Sequence, residues 1–159
     1  MAPYQLRPYS PEDLEALLRL FYESVHRTAC ADYTTEQLDA WAPEAPDQHV
    51  WKKKFSTTET WVVEKNGVPV GFANREKDYF DCLYVAPAHQ CRGVAAMLAE
   101  AVEQAAAREG ITRLTVEASR PARRFFEKRG YRILRAQRVE RRGQTLENFV
   151  MEREMCRNV

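Results

Sequence analysis

The sequence predicts one α/β domain over residues 1–159. Three observations carry that prediction. With 159 residues, 45% hydrophobic and 30% charged, the chain can bury one core of ordinary size. Its apolar pattern switches between a period of two and a period near 3.6, in the order β-α-α-β-β-β-α-β-α-β-β. No internal repeat, low-complexity tract or linker divides it.

"YQLRPY" (4–9) reads as a short strand. Ser10 then caps a helix with Pro11 at its first position and Asp13 three residues after the cap. Leu14, Leu17, Leu18, Phe21, Tyr22 and Val25 form its apolar face. A second helix starts at Thr34 or Thr35, runs through "EQLDAW" and stops before Pro43. Residues 43–57 read as a loop anchored by Trp51 and Phe55.

"TTETWVVEK" and "VPVGFANRE" flank Asn66-Gly67, a hairpin signal because both turn positions need positive φ. "YFDCLYV" (79–85) is a third strand of this group, ended by Pro87. The helix that follows runs to about Glu109, with Val94, Met97, Leu98, Ala101, Val102 and Ala105 on one face and Gly110 just past its end. "TRLTVEAS" is a strand and "PARRFFEKR" a short helix between Pro121 and Gly130. "YRILRAQRVER" and "TLENFVMERE" pair around Gly143.

The composition excludes several classes. "MAPYQLRPYS" has no apolar signal region, and nowhere does an apolar run approach the roughly 20 residues of a membrane span. Cys30, Cys82, Cys91 and Cys156 lie far apart, so reduced thiols and a cytoplasmic location are expected. His26, His49 and His89 lack ligand spacing, and no metal is expected. The net charge of +1 hides an asymmetry: residues 1–119 carry 12 Lys/Arg against 18 Asp/Glu, while residues 120–142 carry 10 against 2.

Within "HQCRGVAAML" (89–98), Gly93 sits where a helix begins. The first N–H groups of a helix lack internal partners, and the macrodipole adds about half a positive charge there. A glycine lets an anion reach that backbone because no Cβ intervenes. Taken alone, these residues suit either a phosphate site or an ordinary loop glycine.

The wider stretch "DCLYVAPAHQCRGVAAML" resembles the acetyl-coenzyme A signature of the GNAT superfamily of N-acetyltransferases, a strand followed by [R/Q]-x-x-G-x-[G/A] at a helix start. "ASRPARRFFEKRGY" is similar to the family's later segment, and "YTTEQLDAWAP" (33–43) to small bacterial members. The resemblance covers nearly the whole chain. It implies a mixed, mostly antiparallel central sheet, splayed between its fourth and fifth strands and flanked by helices. It further implies direct acetyl transfer from acetyl-coenzyme A to a primary amine of a small molecule or peptide.

The cofactor residues implied are Leu83, Tyr84 and Val85 on the strand and Gln90, Cys91, Arg92, Gly93, Val94, Ala95 and Ala96 at the turn. Ser119, Arg123, Phe126 and Lys128 come from the later segment. The diphosphate rests on amides of residues 91–96, and the pantetheine arm pairs with the backbone of Leu83 and Val85. The Val85 amide lies near the thioester carbonyl. Ser119 falls where the family often has Asn, and Arg123 and Lys128 would meet the adenosine phosphates. The side chains of Leu83 and Tyr84 read as core, and Cys91 as a spacer.

Asp81 matches a carboxylate that takes the amine proton; strand alternation places it on one side with Leu83 and Val85. Phe126 stands where many relatives have a proton-donating tyrosine, and Tyr131 matches a core aromatic, so no general acid is assigned. A thiol of pKa about 8.5 can leave as thiolate at a cost of roughly 2 kcal/mol. From the two-helix region, His26 and Tyr33 are candidate acceptor contacts, whereas Trp41 and Trp51 read as core.

Two other functions fit the sequence: an acyl-coenzyme A binding module without catalysis, which Phe126 favours, and an acetyltransferase acting on charged transfer RNA, which the basic 120–142 segment favours. Arginines on amphipathic elements are usually solvated faces, so no nucleic acid partner is expected. Relatives are often homodimers, though no interface is legible here.

Overall fold

The computed structural model describes residues 3–155 and begins with strand β1 (Gln5–Pro8). A 3-10 turn (Pro11–Asp13) leads into α1 (Leu14–Thr28), α2 (Thr35–Trp41) and α3 (Gln48–Thr57). Then come β2 (Glu59–Lys65), β3 (Val68–Glu76) and β4 (Tyr79–Val85), followed by α4 (Val94–Arg108) and β5 (Arg113–Ala118). The short α5 (Arg123–Lys128) precedes the final hairpin of β6 (Arg132–Arg141) and β7 (Gln144–Glu154). The strands form one sheet, ordered β1-β2-β3-β4-β5-β7-β6. Every neighbouring pair is antiparallel except β4–β5, so the sheet is mixed as expected.

Local chemistry sets most boundaries. Asn66 and Gly67, at φ 54° and 76°, close the β2–β3 hairpin. Thr34 caps α2, its hydroxyl accepting from the Gln37 amide at 3.2 Å, while the Gln37 side chain accepts from the Thr34 amide at 2.8 Å. At the first turn, the Ser10 amide donates to Asp13 Oδ2 at 2.9 Å. The α-helix itself starts only at Leu14.

The expected loop at 43–57 is corrected by α3. Asp47 accepts from the amides of His49 (3.0 Å) and Val50 (3.3 Å), which starts the helix. Trp51 and Phe55, one turn apart, hold it: the Trp51 ring lies 4.9 Å from Phe21 and 5.4 Å from Phe55. The lysine run 52–54 hides the apolar period in the sequence.

Two cores lie on opposite faces of the sheet. Val94, Leu98, Val102 and Ala106 of α4 pack on Val63, Phe80, Val85, Leu114 and Val116. Leu17, Phe21 and Val25 of α1, with Leu38 and Phe55, cover Val62, Phe72 and Cys82. Helix α4 approaches β3 so closely at Gly71 that a Cβ there would lie 2.9 Å from Val94 Cγ1. Each core side chain of this size contributes about 1.5–3 kcal/mol on leaving water.

Four of the ten basic residues of the 120–142 segment meet carboxylates of the chain. Arg120 reaches Glu147 at 3.4 Å, Arg123 meets Glu127 at 2.6 Å, and Arg132 meets Glu152 at 2.6 Å. Arg129 pairs with Glu103. Cys30, Cys82 and Cys91 are free thiols, and Cys156 lies outside the described residues. Among the described residues, no helix is long and apolar enough to cross a membrane.

Candidate active site

Strands β4 and β5 pair only at Tyr79↔Thr115 and Phe80↔Val116, then separate. On the other edge of β4, the Ala86 amide donates to Val70 O at 2.8 Å. Backbone groups alternate direction along a strand, so the Val85 N–H faces the gap rather than β3. A cavity of about 390 Å³ opens there, walled by Leu83, Tyr84 and Val85, by Ser24, Val25 and Thr28 of α1, and by Pro121, Ala122 and Phe125.

The turn at one end of this cavity holds two residues in left-handed conformation, Cys91 (φ 60°) and Gly93 (φ 83°). A Cβ at Gly93 would meet no protein atom within 4 Å, so the glycine answers a backbone angle and keeps the space above it clear. The first helical bond of α4 runs from the Met97 amide to Gly93 O, which leaves the amides of residues 94–96 without intrahelical partners. Gln90 braces the turn by donating to Thr28 Oγ1 at 2.8 Å. Gln90, Cys91, Gly93, Ala95 and Ala96 line the cavity. Arg92 is exposed beside it, and Val94 points into the core.

The later segment needs a correction. Phe126 is 2% exposed and stacks edge-on with Phe80 and Tyr131 in the core. One helical step of 100° puts Phe125, not Phe126, on the cavity wall. Arg123 and Lys128 are exposed and line neither cavity, with the Arg123 guanidinium engaged by Glu127. Ser119 does line this cavity.

A second cavity of about 370 Å³ lies on the α1–α3 side and shares Trp41, Tyr84 and Ser119 with the first. Asp81 belongs to this second cavity, and Leu83 and Val85 to the first. Strand alternation therefore misplaces Asp81. The β3–β4 register passes from Asn74↔Cys82 to Arg75↔Phe80, a bulge that leaves Asp81 without a cross-strand partner and flips its side. Asn74 stabilises the bulge: its Nδ2 donates to Asp81 Oδ2 at 3.1 Å and its Oδ1 accepts from the Cys82 amide at 2.8 Å.

Lys54 Nζ stands 3.3 Å from Asp81 Oδ2 and 5.0 Å from the centre of the Trp51 ring. Burial opposes the Lys54 charge, but Cys82 and Asp81 beside it carry the net shift upward. Burial pushes the Cys82 thiol up, with Asp81 adding to it, and pushes the Tyr84 phenol well up. The Tyr79 phenol rises through burial and through Glu117, to which it donates at 3.2 Å.

Tyr33 walls the second cavity and donates to Glu147 O at 2.6 Å. His26 lines neither cavity; its Nε2 sits 2.8 Å from Ala42 O and its ring stacks on Tyr22. Sequence reasoning missed Lys54, Tyr79, Glu117 and Arg141 on this wall, and it placed Trp41 and Trp51 in the core. The i, i+3 spacing of Trp51 and Lys54 behind the Asp47 cap was the available signal. Among the described residues, no three His, Cys, Asp or Glu side chains cluster as a metal site.

Comparison with known proteins adds to this geometry. The profile of the acetyltransferase (GNAT) domain matches residues 29–153. The uncharacterised N-acetyltransferase YafP of Escherichia coli K12 is 38% identical over 147 residues, covering 92% of this chain and 93% of that one. The crystal structure of a GCN5-related N-acetyltransferase from Rhodopseudomonas palustris superposes with a TM-score of 0.93 at 37% identity, covering 97% of each chain. The PaiA N-acetyltransferase of Thermoplasma acidophilum, solved with coenzyme A, shares the fold at a TM-score of 0.79 and 19% identity, covering 96% of this chain and 99% of that one.

Proposed function

Because the chain belongs to the GNAT acetyltransferase family, we propose that it transfers an acetyl group directly from acetyl-coenzyme A to a primary amine of a small molecule or peptide. The observation that carries this reading is the pair of cavities meeting across Trp41, Tyr84 and Ser119 at the open end of the β4–β5 gap. One cavity suits a thioester arm and the other an amine.

The residues of the first cavity fit such a donor. The free edge of β4 at Leu83 and Val85 can pair with the amides of a pantetheine arm. The amides at residues 94–96, with Gln90, Cys91, Arg92, Gly93 and Ala95 around them, suit a diphosphate. The donor supplies an activated acyl carbon; the chain supplies position and charge. The Val85 N–H, facing the gap, can stabilise negative charge on a carbonyl oxygen.

An alkyl amine of pKa near ~10 is largely protonated at neutral pH, so attack needs a proton acceptor. Asp81 takes that role in this reading, set on the acceptor side by its bulge and held by Asn74. Phe126 has no proton to give the departing thiolate, and no general acid is assigned. The whole of residues 1–159 acts as one domain in the cytoplasm.

Calorimetry with acetyl-coenzyme A and a thiol-release assay over a panel of amines test the proposal. Saturable binding and amine-dependent thiol release, abolished by Asp81→Asn without loss of donor binding, are the expected results. Binding with no turnover on any amine would leave a non-catalytic binding module instead, and absence of binding would remove both.

A further inference from the structure

The acceptor cavity is occupied by an ion pair of the protein's own. Lys54 Nζ lies 3.3 Å from Asp81 Oδ2, within the space where an acceptor amine would have to meet that carboxylate. Both partners are partly buried, with side-chain exposures of 34% and 17%. An entering ammonium that took Asp81 for itself would leave Lys54 without its counter-charge in a shielded place, a costly outcome. A molecule carrying both charges avoids this, because its ammonium replaces Lys54 at Asp81 while its anionic group replaces Asp81 at Lys54.

The cavity wall carries further charges of both signs, Arg141 and Arg142 with Glu117 and Glu147. Arg141 lines the cavity and opposes the charge of Lys54, while Glu117 and Asp81 both act on the Tyr79 phenol. Phe21, Trp41, Trp51 and Tyr84 add aromatic surface, beside the polar groups of Ser119 and Asn148. Resting on Asp81 as the proton acceptor of the proposed function, we infer that the acceptor is a zwitterionic amine, an amino-acid-like molecule with an apolar or aromatic side group, whose carboxylate is received by Lys54. Lys54 is then a specificity-determining residue. After the ammonium gives its first proton to Asp81, the nitrogen forms the new N–C bond, the C–S bond breaks with its electron pair leaving on sulfur, and the second proton of the nitrogen passes through solvent to that thiolate.

The test uses two matched acceptors, L-phenylalanine and phenethylamine, which differ by one carboxylate. The wild-type protein is expected to acetylate L-phenylalanine with a kcat/KM at least about tenfold higher, the size of one charge-assisted pair. Lys54→Met should erase that preference through KM of the amino acid, and Lys54→Arg should retain most of it. Equal or better use of phenethylamine by the wild type, or an unchanged ratio in Lys54→Met, overturns the inference, as does preference for the neutral amine aniline. Calorimetry of both acceptors on protein saturated with coenzyme A reads the same preference without turnover. It therefore separates failure of this inference from failure of the catalytic reading, and it serves equally if Lys54→Met does not fold and only Lys54→Arg can be compared.

Discussion

The Tyr131 hydroxyl donates to Glu103 Oε2 at 2.8 Å, and the same carboxylate receives Arg129 and, at 3.0 Å, Arg153. This knot joins α4 to the residues that follow α5 and to β7. Glu103→Ala leaves two guanidinium groups facing a void and is expected to cost about 3 kcal/mol, whereas Tyr131→Phe costs about 1 kcal/mol. Urea unfolding of the two variants checks the ordering.

Gly93 and Gly71 are predicted to fail in different ways. Gly93→Ala meets open space but strains a left-handed backbone, so the fold should lose about 1 kcal/mol while affinity for acetyl-coenzyme A falls at least about tenfold. Gly71→Ala pushes on Val94 and Leu98, so it should cost about 2 kcal/mol of fold stability. Thermal melts paired with calorimetry separate the two.

Phe125 and Phe126 should likewise divide. Truncating Phe126 to Ala empties a core site and should cost about 3–5 kcal/mol, while Phe125→Ala should weaken donor binding with a smaller loss of stability. Equal destabilisation by both would contradict their placement.

Alkaline pH should loosen the fold through groups kept neutral inside it. Burial raises the Cys82 thiol and the Tyr84, Tyr79 and Tyr131 phenols. The unfolded chain releases these protons near pH ~8.5 for the thiol and ~10 for the phenols, while the folded chain keeps them. Stability is thus complete below about pH 8.5 and falls as pH rises, by up to about 1.4 kcal/mol per pH unit for each group. Cys82→Ala should delay the onset towards pH ~10, as urea midpoints across an alkaline series would show.

Much of this molecule was legible in its sequence. The hairpin at Asn66-Gly67, the bounds of β4 and the glycine opening α4 are local signals, written in a few adjacent residues. Helix α3 was not, because three lysines mask a face that only Trp51 and Phe55 define once Phe21 is beside them. The side on which Asp81 projects depended on a bulge held by Asn74 from the neighbouring strand, a tertiary contact with no trace in the spacing of residues 79–85. Phe125 and Phe126 differ only by a helical phase that packing on Phe80 decides.

The separation of β4 from β5 reaches beyond chemistry. A sheet that leaves the backbone of Leu83 and Val85 open at the gap is incomplete there until some other molecule supplies the missing partners. Occupancy of that slot by a metabolite then raises the melting point in proportion to the logarithm of its level, so the lifetime of the folded protein tracks the supply of whatever fills it.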